Sequence, residues 1–181
     1  ITLTATTNRA LIDYEIKYEL NGGSLENGKI NPTKYTVETN DFKLNNPVKN
    51  GYIFKGWTGT DLQKEENEVI ILKGSTGDRN YIANWEPIEY KITYNLNQGD
   101  LLEGAVNPEK YTVETATFTL NNPSKVGYTF VGWTGTELEN AETTVTIEKG
   151  STGDRSYTAN WKENTGVPYH VQYYLEKLDS T

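Results

Sequence analysis

Tyr14-Glu15-Ile16-Lys17-Tyr18-Glu19-Leu20 alternates apolar and polar side chains without a break, and Tyr90-Lys91-Ile92-Thr93-Tyr94-Asn95-Leu96 repeats that alternation 76 positions later. A strict period of two marks a strand with one buried face. Asn21-Gly22-Gly23 then supplies the turn chemistry that stops the first copy. Working outward, residues 14–85 align with residues 90–161 without a gap, and 45 of the 72 aligned positions are identical. The chain therefore carries two tandem copies of one module, since self-similarity at a fixed period marks repeat architecture.

Further strands are predicted over residues 34–39, 42–44, 52–57, 69–72 and 80–85, separated by Asn45-Asn46-Pro47, Gly59-Thr60 and residues 74–77. The two copies assign their faces. Val69 and Ile71 stay apolar as Val145 and Ile147, whereas Ile70 and Leu72 become Thr146 and Glu148. A glutamate is tolerated there only on a wet face, so Val69 and Ile71 point inward. The same parity turns Tyr81, Ala83 and Trp85 in and Ile82 out. No window sustains helical spacing, and residues 61–67 offer room for a short helix at most.

Composition excludes several classes of function. The 181 residues carry 17 basic and 25 acidic side chains, a net charge of −8 that repels nucleic acid and anionic membrane surfaces. There is no cysteine, hence no disulfide, thiol chemistry or cysteine-bound zinc. His170 is the single histidine, too few for a histidine metal site or a triad in each copy, and it reads as a strand surface residue. The longest apolar run, residues 69–72, is far too short to span a membrane. Thirteen tyrosines and four tryptophans argue for a packed core, because disordered chains are poor in aromatics.

The ends read as parts of neighbouring units. Leu3-Thr4-Ala5-Thr6-Thr7 resembles the closing Tyr157-Thr158-Ala159-Asn160-Trp161, and Tyr169-His170-Val171-Gln172-Tyr173-Tyr174-Leu175 copies the opening strand. The chain is accordingly expected to be a piece of a longer protein. Between the copies, Glu86-Pro87-Ile88-Glu89 is a short, proline-stiffened link, and the longer glycine-containing link after Trp161 should bend more.

The string Tyr-x-Ile-x-Tyr-x-Leu-Asn, then Gly-Tyr-x-Phe-x-Gly-Trp, then Tyr-x-Ala-Asn-Trp resembles the Listeria–Bacteroides repeat, the internalin-type B-repeat. It runs through Tyr18, Gly51-Tyr52, Phe54, Gly56-Trp57 and Ala83-Asn84-Trp85, and again through Tyr94, Gly127-Tyr128, Phe130, Gly132-Trp133 and Ala159-Asn160-Trp161. The tail from Tyr169 resembles the first strand of a mucin-binding-protein-type repeat. The resemblance implies a mainly β fold of tandem small β-grasp-like, ubiquitin-related modules with little helix. It also implies an extracellular bacterial cell-surface protein, attached to the wall through regions outside this chain, with no catalytic residue to carry over.

Each chemical motif has a plain alternative. Residues 73–79 and 149–155 contain glycines three apart but no lysine after the second, and a strand follows rather than a helix. They therefore read as loops in which glycine supplies positive φ and Asp78 caps the turn, not as a phosphate loop. Trp57 and Trp133 are the candidate ligand-binding residues, as stacking platforms for sugars. Strand parity places Trp57 opposite Tyr52 and Phe54, although a bulge beside Gly56 would fold it back over the core, which is the favoured reading. Asp61, Glu65, Glu66 and Glu68 could supply a carboxylate pair, yet Ala141, Thr143 and Thr144 stand in the second copy at the positions of Glu65, Asn67 and Glu68. Asp100 with Glu103, or Asp61 with turn oxygens, could hold calcium only weakly, since no EF-hand spacing exists.

The sequence thus predicts the end of a preceding module over residues 1–13, repeat modules over 14–89 and 90–168 (the latter with its linker), and the start of another over 169–181. The expected role is a non-enzymatic stalk or spacer that presents another domain away from the cell. The alternative is an adhesive module binding host glycan or protein through exposed aromatic residues. No cofactor, metal, nucleic-acid partner or membrane insertion is expected. The partners are neighbouring repeats in the same chain, with host glycan or surface protein as the second reading, and the protein is expected to be a monomer.

Overall fold

The computed structural model describes residues 10–166 and 171–172. Residues 3–7 and most of residues 169–175, including His170, lie outside the described set, and the strand readings made there go with them. The chain divides into two compact units whose main boundary falls between Glu89 and Tyr90. Among the described residues all regular structure is β, with no helix.

The first unit contains β1 (Tyr14–Glu19), β2 (Lys34–Tyr35), β3 (Phe42–Lys43), β4 (Tyr52–Gly59), β5 (Ile70–Ile71) and β6 (Arg79–Pro87). Four strands form one sheet in the order β2-β1-β6-β4, and β3 and β5 form a second, two-stranded sheet. β1 and β6, the first and last strands, are parallel neighbours with Ile16 opposite Arg79 and Glu19 opposite Ile82. β2 and β4 flank them in antiparallel pairings.

Each strand predicted within residues 14–85 is present, and the face assignments hold. Val69, Ile71, Tyr81 and Ala83 are buried, Ile70 and Leu72 are exposed, and Ile82 is half-buried. Trp85 is half-buried and packs on the core from the side predicted. The core joins Ile16, Tyr35, Leu44 and Trp57 to those inward residues, drawing from both sheets.

Two differences from expectation have clear causes. The strand predicted over residues 34–39 stops at Tyr35, because Thr36 N–H donates to the Thr39 hydroxyl and Thr39 N–H to the Thr36 carbonyl, closing a turn. Residues 61–67 form no helix. Asp61 takes φ 65°, and Glu66 exchanges backbone hydrogen bonds with Trp57 as an antiparallel bridge, so the segment is extended.

The second unit repeats the plan with β7 (Tyr90–Asn95), β8 (Lys110–Tyr111), β9 (Phe118–Thr119), β10 (Tyr128–Gly135), β11 (Thr146–Ile147) and β12 (Arg155–Glu163). Its larger sheet runs β10-β12-β7-β8, with β7 and β12 parallel.

Candidate functional site

In each unit the parallel pair of first and last strands is where residues shared by both copies concentrate their interactions. Four residue pairs are in register between β1 and β6, and side chains extend the connection at both ends. At the start, Glu15 N–H donates to Asp78 Oδ1 at 2.8 Å. At the far end, Asn21 Nδ2 donates to Ala83 O at 3.0 Å and Trp85 Nε1 donates to Leu20 O at 3.0 Å. Asp154, Asn97 and Trp161 make the same three bonds around β7 and β12. Asp78 therefore pins the neighbouring first strand; it does not cap its own turn as the sequence suggested. Gly23 leaves room for this arrangement, since a Cβ there would lie 2.4 Å from the Trp85 ring.

The loop between β5 and β6 is the predicted glycine loop, with Gly74 and Gly77 at φ 86° and 90°. It leads into Arg79, which sequence reasoning did not single out. Arg79 Nε donates to the Tyr35 hydroxyl at 2.9 Å, and Tyr35 O–H donates to Gly77 O at 2.6 Å. The guanidinium also reaches Asp61 at 2.8 Å. This cluster ties the start of β6 to β2 and to the loop after β4. Arg155, Tyr111, Gly153 and Glu137 rebuild it in the second unit, where Arg155 is buried outright. The signal in the sequence was identity across the copies inside an otherwise glycine-rich loop.

Trp57 and Trp133 are both 0% exposed. The register shift between Phe54 and Gly56 makes Lys55 the extra residue of a β-bulge, and the bulge resets the parity that had left Trp57 outside. Gly56, at φ 130°, permits it, and a Cβ there would meet Glu66 N at 2.8 Å. Trp57 Nε1 donates to Asn46 Oδ1 at 3.0 Å, and Trp133 Nε1 to Asn122 Oδ1 at 2.9 Å. The reading of these tryptophans as exposed stacking platforms is corrected accordingly: neither indole offers a sugar an open face. They instead center a ring lattice in which Phe54, Tyr18 and Tyr81 lie 5.6, 5.9 and 6.4 Å from Trp57.

Burial, followed by the neighbouring Tyr81 hydroxyl, pushes Tyr18 well above the usual tyrosine range. Tyr94 is raised in the same way, by burial and then by Tyr157 and Glu109. Their hydroxyls donate to Pro32 O and Pro108 O.

The candidate carboxylates do not converge. Asp61 pairs with Arg79, Glu68 with Lys43 at 3.2 Å, and Glu66 serves Trp57 through its backbone. Asp100 bridges Ser124 through its main chain. Among the described residues no group of three metal-capable side chains forms, and no lysine is buried beside an asparagine as an isopeptide bond requires. No helix there is long and apolar enough to cross a membrane.

Comparison with known proteins finds the same duplication. The chain is similar to a protein of Evansella cellulosilytica that carries the name "Putative Gly-rich membrane protein", with 27% identity over 156 residues. That alignment covers 84% of this chain but only 16% of the relative's length. No solved structure matches the chain. The model of the Listeria–Bacteroides repeat domain, a module of surface proteins, matches twice, over residues 14–78 and 90–165. Two copies of that repeat account for most of the sequence, and the chain belongs to the Listeria–Bacteroides repeat family.

Proposed function

We propose that this chain is a non-enzymatic spacer segment of an extracellular bacterial surface protein, holding another domain away from the cell. One observation carries the reading: each module begins and ends on two parallel, adjacent strands. The chain enters β1 at one end of the ladder and leaves β6 at the other. Tension between the termini of a module therefore loads the hydrogen bonds of the pair in shear, all together, instead of peeling them singly. The side-chain bonds at both ends of the pair add to the group that must fail at once. The β-grasp-like plan that the family resemblance implies has its first and last strands side by side in this way. The aromatic side chains serve cohesion: the rings that would have made the module adhesive center its core.

The test is made on the whole surface protein displayed on cells. Excising residues 90–165 should reduce access of a large soluble probe to the outer domain, and an unrelated folded domain of similar length should restore it. If binding to host material is lost and the unrelated domain does not restore it, the spacer reading is wrong and the modules themselves are adhesive.

A further inference from the structure

An asparagine followed by glycine is prone to lose its side-chain nitrogen, because a glycine without a Cβ lets its backbone nitrogen close on the asparagine side chain. The sequence holds three such pairs, Asn21-Gly22, Asn27-Gly28 and Asn50-Gly51, all in module 1 (residues 14–89). Module 2 carries Asn97-Gln98, Glu103-Gly104 and Val126-Gly127 at the same positions.

Two of the three are restrained. Asn21 Nδ2 donates to Ala83 O at 3.0 Å, and the Asn21 carbonyl accepts from Lys49 Nζ at 3.0 Å. Asn50 is exposed, but Gly51 beside it is buried. Gly51 O accepts from Ile88 N–H at 2.9 Å, and Tyr52 N–H closes the turn on Lys49 O.

Asn27 and Gly28 are both exposed, at the apex of the loop between β1 and β2. On one side of the apex Ser24 bridges Val48; on the other Asn45 N–H donates to Asn31 Oδ1 at 2.7 Å and Asn31 Nδ2 to Asn45 O at 3.0 Å. Between these anchors the turn is closed by Lys29 N–H to Glu26 O at 3.0 Å and by the ion pair of the same two residues. An exposed pair of that kind contributes little, so the apex opens easily. Gly28 takes φ 81°, and a Cβ there would meet nothing within 4 Å. Among the described residues no hydrogen bond holds the Asn27 carboxamide or the Gly28 N–H.

We propose that Asn27 is a site of self-modification, converted to aspartate and isoaspartate without an enzyme. Gly28 N attacks Asn27 Cγ, a C–N bond forms, the Cγ–Nδ2 bond breaks, and ammonia leaves with the Gly28 amide proton. Water then opens the cyclic imide. Attack at Cγ gives aspartate; attack at the main-chain carbonyl gives isoaspartate, whose backbone runs through the former side chain. The new carboxylate stands where module 2 already carries Glu103. The two anchors confine the added main-chain methylene to the apex, so the sheet keeps its register. The proposal is independent of the spacer role.

The experiment incubates the folded full chain in mildly alkaline water enriched in heavy oxygen and maps the label by mass spectrometry over time. Isoaspartyl methyltransferase counts the isomer. Asn27 should convert at least about tenfold faster than Asn21 or Asn50. In denaturant, where all three are bare Asn-Gly pairs, the rates should converge. Asn27→Glu, which writes in the module 2 residue, should remove the fast-labelling peptide, and both this variant and the converted chain should keep the unfolding transition of module 1. Equal rates at the three sites in the folded chain, a faster rate at Asn21 or Asn50, or conversion of Asn27 only after denaturant is added would each overturn the proposal.

Discussion

Module 1 and module 2 enclose nearly the same lattice of rings and differ almost entirely outside it. Phe54 lies 5.6 Å from Trp57 and 5.4 Å from Trp85; Phe130 lies 5.5 Å from both Trp133 and Trp161. On the outside, the ion pair of Lys55 with Glu86 is replaced by Val131 and Lys162, and that of Lys43 with Glu68 by Thr119 and Thr144. Thr119 finds a new partner in the Thr146 hydroxyl, 2.9 Å away. Exposed pairs contribute little and are exchanged readily, while a close-packed interior feels the loss of a single methylene. Module 1 and module 2 therefore share a packed interior and differ in their exposed side chains.

The largest effect expected is at the center of the shared lattice. Trp57→Ala and Trp133→Ala should each remove about 3–5 kcal/mol from the module that carries it. Thermal or denaturant unfolding should show that module lost and the other module's transition retained. Markedly unequal costs would mean that the two cores are not equivalent.

The next test separates the modules. Arg155 has 6% of its side chain exposed and Arg79 11%. Arg79→Met and Arg155→Met each strip hydrogen bonds from two tyrosine hydroxyls, at about 1–3 kcal/mol. The cost should be greater for Arg155, whose surroundings exclude more water. Equilibrium denaturation of the two variants measures the difference, and a larger cost for Arg79→Met would contradict the account.

The smallest difference is expected at high pH. Tyr18 and Tyr94 are both held above the ordinary tyrosine range, so the folded state keeps their protons after the unfolded chain has begun to lose them. Stability from this source is complete below the unfolded value near 10 and falls as the pH rises beyond it. Denaturation midpoints measured from pH 8 to 12 should stay level and then decline, in parallel for both modules. A rise in stability above pH 10 would reverse the assigned sign.

Much of this was legible because the sequence is written twice. The inward side of β5 followed from Ile70 and Leu72 becoming Thr146 and Glu148, since a face that accepts glutamate is wet. All six strands of the module could be placed from alternation and turn residues, though short pairs such as Lys34–Tyr35 could not be bounded. A hydroxyl bond between Thr36 and Thr39 decides where that strand ends. The position of Trp57 defeated strand parity because a bulge adds a residue without changing composition, and only Gly56 hinted at it. The clips by Asp78, Asn21 and Trp85 span 62 to 65 positions of sequence and leave no local pattern. They become visible when β1 and β6 lie side by side.

The claim that the first and last strands form a shear-loaded pair can be measured directly in one module. The chain has no cysteine, so paired handles are unique. Handles at Asp13→Cys and Glu86→Cys pull the parallel pair of β1 and β6 along its length. Handles at Ile53→Cys and Glu86→Cys, which face each other near the end of the antiparallel ladder, open β4 from β6 one rung at a time. Single-molecule pulling should give an unfolding force several-fold higher in the first geometry than in the second. Equal forces, or a lower force along the parallel pair, would contradict the account.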